Sequence, residues 1–258
     1  MPSPVLEKEW LAMTDKQAEP AAPAAPTTPA MPAAPAPLTA PEKPDALSLA
    51  MNGVPAVLLL TGIAGSLLLW HTLPARIAAM LAWLYLAPPV LARLLILCCG
   101  KPTGRLTLQM PAYRTWWLLT QLQLPFNRLP WLEEGLRLVP GLYAAWIRLW
   151  GGNLSALAFV GPGVCITDRH LVRVERGSVL GLHSTLAGHA VVRDAAGRFL
   201  IIAAEPVVES HAILGGRSAI GPGATVHAGH LLPAGRLLSP FGEWPKMHKQ
   251  SCTKQENA

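Results

Sequence analysis

The latter part of the chain repeats every six residues. Aliphatic side chains fall at Leu154, Val160 and Ile166. After a two-residue slip they resume at Val174, Leu180, Leu186 and Val192, then run from Ile202 through Val208, Leu214, Ile220 and Val226 to Leu232. Glycine follows directly at Gly161, Gly181, Gly215 and Gly221. A helix repeats every 3.6 residues and a strand every two, so neither makes this period. A three-sided solenoid does. One short strand per side uses six residues and points one aliphatic side chain inward, and the corners take small or φ-permissive residues. Three sides make a coil of about 18 residues, and coils pair at the ordinary inter-strand spacing of about 4.8 Å. The thirteen aliphatic positions imply roughly four to five coils. Val192 leads into a loop with the turn signal "RDAAGR" before Ile202.

Residues 46–100 have a different character. From Ala46 to Trp70 there is no charged residue in 25 positions, enough to cross a bilayer core of about 30 Å as a helix. A break, "HTLPAR", precedes a second apolar run from Ile77 to Cys99 that contains Pro88, Pro89 and Arg93. Prolines are tolerated in a spanning helix as kinks, and Arg93 lies near enough to the end to snorkel. Spanning fits this run better than a re-entrant or interfacial path. Lys101, Arg105 and Arg114 follow, so the positive-inside rule expects a membrane protein whose latter part is cytoplasmic.

Ahead of the hairpin, residues 1–45 end in an Ala/Pro tract, which favours an extended, unpacked spacer. The N-terminus does not read as a signal peptide, since no apolar core follows a basic start. Residues 101–150 interleave Trp116, Trp117, Trp131, Trp146 and Trp150 with arginines, and Pro125, Pro130 and Pro140 cut the stretch into short helices. Ring-plus-guanidinium pairing suits the headgroup zone, while packing as core helices on the next domain is the equal alternative. The solenoid is assigned 151–240, and 241–258 is a polar tail expected to fray.

With 51% hydrophobic and 14% charged residues, the composition suits a membrane-associated protein, where a soluble one averages about 25% charged. The net charge of +6 is scattered, and no nucleic-acid-binding signature accompanies it, so a lipid surface is the expected partner. Four cysteines without CxxC spacing support neither a disulfide scaffold nor a zinc cluster.

The motifs "VGPGVCI", "VLGLHSTL", "ILGGRSAI" and "IGPGATV" resemble those of the hexapeptide-repeat, left-handed β-helix acyltransferases, from Gly151 to about Ser239. The implied fold class is a β-solenoid, a left-handed parallel β-helix, preceded by a transmembrane helical hairpin and short Trp-rich helices. A looser resemblance, carried by "LWGGNLSALAFVGPGVCITDRHLV" and "LGLHSTLAGH", is to the membrane-associated C-terminal β-helix region of poly-amino-acid synthetases of the ε-poly-lysine type. That region is thought to transfer aminoacyl groups held on carrier proteins.

In the acyltransferase family a histidine between subunits takes the acceptor's proton, a role that suits imidazole because its pKa lies near neutral. His189 in "LAGH" is the first candidate, and the alternative is a corner or interface histidine bonded to backbone. If the loop after Val192 adds four residues, the hexads from Leu186, Val208 and Val226 share a side and stack His189 over His211, with His227 or His230 next. If the loop replaces a hexad, that column dissolves. His183 falls on a neighbouring side in either count. Asp168, at the slip, is the carboxylate to orient a histidine, ahead of Glu175, Asp194, Glu205 and Glu209. Cys165 reads as a buried structural thiol before a nucleophile. No metal is expected.

The resulting expectation is a membrane-anchored acyltransferase. It takes an acyl or aminoacyl group from a coenzyme A or carrier-protein (phosphopantetheine) thioester to an amine or hydroxyl, works as a homotrimer, and has a carrier protein or biosynthetic synthetase as possible partner. The rival is a non-catalytic β-helix scaffold, because the repeat forms for packing reasons alone.

Overall fold

The computed structural model describes residues 45–193 and 198–246. The Ala/Pro spacer and the tail beyond 246 lie outside them.

The first helices form a hairpin. Asp45 caps α1 (Ala46–Met51) by accepting from the Ser48 N–H at 2.9 Å. α2 (Val54–Leu69) follows with proline in its first turn, and after a short turn α3 (Leu73–Cys99) returns against it. Both legs, Ala46–Leu69 and Leu73–Cys99, are long and apolar enough to cross a membrane. The expected break at "HTLPAR" shrinks to Trp70–Thr72, because the proline at 74 fits the first turn of α3. α3 runs unbroken through Pro88 and Pro89. Proline 89 has no N–H for the Tyr85 carbonyl, and that carbonyl accepts from the Trp146 indole at 2.8 Å. The Tyr85 hydroxyl donates to the Leu132 carbonyl at 2.7 Å. Arg93 is exposed near the end of α3, with its guanidinium beside Gly151.

Three further helices form a layer: α4 (Pro111–Arg128), α5 (Trp131–Arg137) and α6 (Leu142–Trp150). Pro125 does not cut the first of these, which continues past it to Arg128. Trp116, Trp146 and Trp150 are buried, and Phe126 meets Trp146 edge-on with centroids 4.8 Å apart. The Trp-rich segment is therefore mainly a packing core between the hairpin and the solenoid. Trp131 is the exposed exception.

From Asn153 the chain winds a parallel β-solenoid of about four turns. One side stacks β2 (Asn153–Leu154), β5 (Arg173–Val174), β10 (Val207–Val208), β13 (Thr225–Val226) and β16 (Glu243–Trp244). The second stacks β3 (Phe159–Val160), β6 (Val179–Leu180), β11 (Ile213–Leu214) and β14 (Leu231–Leu232). The third stacks β4 (Cys165–Ile166), β7 (Thr185–Leu186), β12 (Ala219–Ile220) and β15 (Leu237–Leu238). The second residue of each pair points inward, and Val174, Leu180, Leu186, Val208, Leu214, Ile220, Val226 and Leu232 are all buried. Leu238 and Trp244 continue the six-residue step, so the solenoid extends into the stretch assigned to the tail.

Two sequence assignments change. Val192 and Ile202 are not coil positions: they lie in an antiparallel hairpin of β8 (His189–Arg193) and β9 (Phe199–Ala203), to which β1 (Gly104–Leu106) adds a third strand. The register shows why. Val174 pairs with Val208, so the hairpin leaves the coil after Leu186 and the solenoid resumes at Val207 without using a side.

The inward stack predicts an asymmetric pair of substitutions, read by denaturant unfolding in detergent micelles. Leu214→Ala costs about 2–5 kcal/mol, as a buried leucine does. Val191→Ala, on the exposed side of the hairpin, stays within about 0.5 kcal/mol. Equal costs would contradict the prism.

Candidate active site

The chain turns the corner between the third and first sides four times. On two of the passes, Ile220 to Val226 and Leu238 to Trp244, it uses six residues. On the other two it uses more: eight from Ile166 to Val174, and 22 from Leu186 to Val208. A closed stack of inward side chains leaves no room for extra residues, so both insertions project at the same corner on successive coils. Asp168 is in the first and His189 begins the second.

They meet. Asp168 Oδ2 lies 2.7 Å from His189 Nδ1 and also accepts from the Thr167 hydroxyl at 2.7 Å. Gly188 makes the approach feasible, since a Cβ there would come within 2.7 Å of the Asp168 Cβ and 2.9 Å of the Leu171 Cβ. The "LAGH" glycine is thus a spacing requirement of the pair. Trp116 of α4 covers the imidazole edge-on, with ring centroids 5.0 Å apart.

Burial alone would push the Asp168 carboxyl up, but the hydrogen bond from His189 and the nearby imidazole charge hold it below the usual carboxylate range. For His189, burial disfavours the imidazolium, and the hydrogen bond to Asp168 together with the Asp168 charge outweighs it and raises the pKa. With Nδ1–H donating to an ionised Asp168, Nε2 carries the lone pair, and the side chain keeps 27% of its exposure. A neutral, carboxylate-oriented, partly exposed imidazole with its lone pair on Nε2 can take a proton from a substrate.

The rest of the turn is buried too. Leu171 N–H donates to the Asp168 carbonyl at 2.8 Å, closing it. Arg169 reaches into the helical layer and pairs with Glu133. His170 is fully buried, and burial pulls its pKa down to about 4. The Gln123 amide donates to its Nδ1 at 3.4 Å, which leaves the proton on Nε2, a buried atom without a partner among the described residues.

The other sequence candidates lie elsewhere. His211 is not stacked on His189: β10 sits on the first side and Leu186 on the third, so the expected column does not form. His211 occupies a corner at φ 60°, with its ring beside Gly177, and His183 does the same at φ 55° beside Gly163. These corners call for left-handed backbone, and at both the backbone N–H is bonded to a carbonyl of the coil below, Pro162 for His183 and Arg176 for His211. His227 lies between Glu209 and Glu243, at 3.4 and 3.8 Å. Glu175 bonds Ser210 and Glu205 bonds Arg173. Asp194 is outside the described residues. Cys165 is exposed on its strand rather than buried, and desolvation pushes its thiol up, away from the thiolate. Among the described residues no three His, Cys, Asp or Glu side chains converge as a metal site. A cleft of about 240 Å³ lined by Arg137, Tyr143, Leu154, Ser155 and Phe159 touches neither member of the pair.

Sequence reasoning missed Trp116, Gln123, Glu133, Arg169 and His170. A signal existed. Gln123 falls on the Trp116, Leu119, Phe126 face of α4 at three- and four-residue steps, a polar residue at an apolar position. The eight-residue gap holds "TDRH", too polar for a plain corner.

No protein-family profile matches the chain, and no curated protein matches it. Among solved structures it is similar to a serine acetyltransferase isoform 3 from Entamoeba histolytica, crystallised in complex with cysteine. That similarity has 8% identity and a TM-score of 0.21 over 94% of this chain and 93% of that one. The fold assignment rests on the pairing of the rungs themselves.

Asp168→Asn lowers the His189 pKa towards the ordinary histidine value, because the charge that raises it is gone. Side-chain ¹⁵N NMR titration of the protein in micelles reads this directly. A midpoint that does not move would break the pair.

Proposed function

We propose that this protein is a membrane-anchored acyltransferase. The observation that carries the reading is the buried Asp168 at 2.7 Å from the Nδ1 of a His189 whose side chain stays partly exposed at the edge of a hexapeptide solenoid. An amine or hydroxyl acceptor attacks the carbonyl of an acyl or aminoacyl thioester, and His189 Nε2 takes the acceptor's proton as the new C–N or C–O bond forms. The C–S bond breaks, and the imidazolium returns the proton to the leaving thiolate. Asp168 holds the imidazole with Nε2 unprotonated and stabilises the cation that forms. The donor arm is coenzyme A or a carrier-protein phosphopantetheine. The resemblance to poly-amino-acid synthetases favours including aminoacyl groups and a carrier protein or synthetase as partner.

The helical hairpin serves as anchor, with exposed leucines along both legs to meet lipid. Lys101, Arg105 and Arg114 after it support a cytoplasmic solenoid. A homotrimer completes the proposal.

One observation favours the rival scaffold reading. The outward residues of the second side, Phe159, Val179, Ile213 and Leu231, are all apolar, and three of them are exposed. Such a face suits docking.

Thiol release from a panel of acyl-CoA and acyl- or aminoacyl-carrier donors separates the two. With the right donor, His189→Ala lowers the rate about 10²- to 10⁴-fold. In the unaltered protein kcat/KM rises with pH through the raised His189 pKa, since only the neutral imidazole accepts a proton. Full activity in His189→Ala would remove the base, and silence with every donor would favour the scaffold.

A further inference from the structure

The Asp168–Leu171 turn lies on the first coil, where the stack begins and no earlier coil supports it. Its support comes from the helices. Gln123 Oε1 accepts from the Arg169 backbone N–H at 2.7 Å, and the amide of the same side chain reaches His170. Arg169 Nη1 donates to Asn127 at 2.8 Å, while Nε and Nη2 both engage Glu133 Oε1. The other carboxylate oxygen of Glu133 accepts from the Tyr143 hydroxyl at 2.6 Å and from Arg137 at 3.0 Å. The Arg169 guanidinium also lies 5.6 Å from the Phe126 ring centroid and 5.7 Å from that of Trp146. Arg169 and Glu133 are 2% and 3% exposed and Gln123 is fully buried. A guanidinium held by planar, two-nitrogen contact on one side and an amide on the other has little freedom to rotate.

Among the described residues the Asp168 carboxylate bonds only Thr167 and His189, both through Oδ2, and neither comes from the helical layer. Its orientation therefore follows the turn that carries it. We propose that Gln123, Glu133 and Arg169 are positioning residues that fix this turn and thereby set the distance and angle of Asp168 to His189. The helical layer is part of the site, and the solenoid alone does not build it. This rests on the reading of Asp168 and His189 as the acid–base pair.

The groups around His189 are Asp168 and His170 of the turn and Trp116 of α4, while Lys101 and Arg169 act on the neighbouring His170. Gln123→Met changes none of these charges and removes the three contacts to the turn, those with the Arg169 N–H, the Arg169 guanidinium and His170. Arg169→Lys keeps the buried charge opposite Glu133 and loses the planar grip. The test is ¹⁵N titration of His189 in the full chain in micelles, comparing both variants with the unaltered protein and with Asp168→Asn. Each variant is expected to move the His189 midpoint at least half as far as Asp168→Asn does, in the same downward direction. A variant that unfolds cooperatively, as the unaltered protein does, and keeps its His189 midpoint would overturn the proposal. Should Gln123→Met fail to fold, Arg169→Lys decides. No donor is needed, so absence of acyl transfer in the unaltered protein would remove the acyltransferase reading and leave this result standing. Transfer with an unmoved midpoint would do the reverse.

Discussion

Each inward side chain of the solenoid stands on one from the coil below, and the pairing of Val174 with Val208 and of Leu186 with Ile220 allows only a fixed register. A residue that does not fit that register must leave the prism at a corner. The chain does this twice at the same corner on consecutive coils, first with a tight turn and then with a hairpin. Stacking brings the two excursions together, and the strict period of the coil thus creates the one place where it is broken. An acid from the first excursion and an imidazole from the second meet there, at a distance that only a glycine before His189 permits.

The same corner is where the helices join. The turn that carries Asp168 extends into the layer of α4 and α5, and that layer is fastened to α3 through Tyr85. The donated hydroxyl of Tyr85 holds Leu132, next to Glu133, and its carbonyl, left without an in-helix donor by Pro89, holds Trp146. An unbroken series of contacts therefore runs from the long apolar helix to the pair: Tyr85, α5, Glu133, Arg169, Asp168 and His189. The prolines inside α3 have a structural purpose in this light. They open a backbone acceptor at the level where the helical layer docks.

Much of this was legible in the residues. The six-residue step names the inward side chains from Leu154 to Leu186 and from Val208 to Leu232 because one buried position per side is a hard steric rule. Asp168 stood out at the slip, and His189 beside small residues. The register across the hairpin was not legible: Val192 and Ile202 are aliphatic at the expected interval, and alternation within a strand satisfies the same spacing by coincidence. That error carried His211 onto the site, although its place at a left-handed corner serves the backbone. The buried polar network also escaped, since its members come from three separate stretches and pair only once the layer caps the first coil. The tryptophans left two readings open for a related reason: rings beside arginines suit a headgroup zone and a buried cluster equally.

The register at the corner can be measured with cysteine pairs in a chain whose native cysteines are replaced. Directly paired residues on adjacent coils lie at about the 4.8 Å strand spacing, within the Cα range of a disulfide. Arg173 pairs with Val207 in the fold described above, whereas an uninterrupted count would set Arg173 beside Val191. Oxidation is predicted to cross-link Arg173→Cys with Val207→Cys and to leave Arg173→Cys with Val191→Cys unlinked. The opposite result would put the hairpin back into the coil and contradict the account.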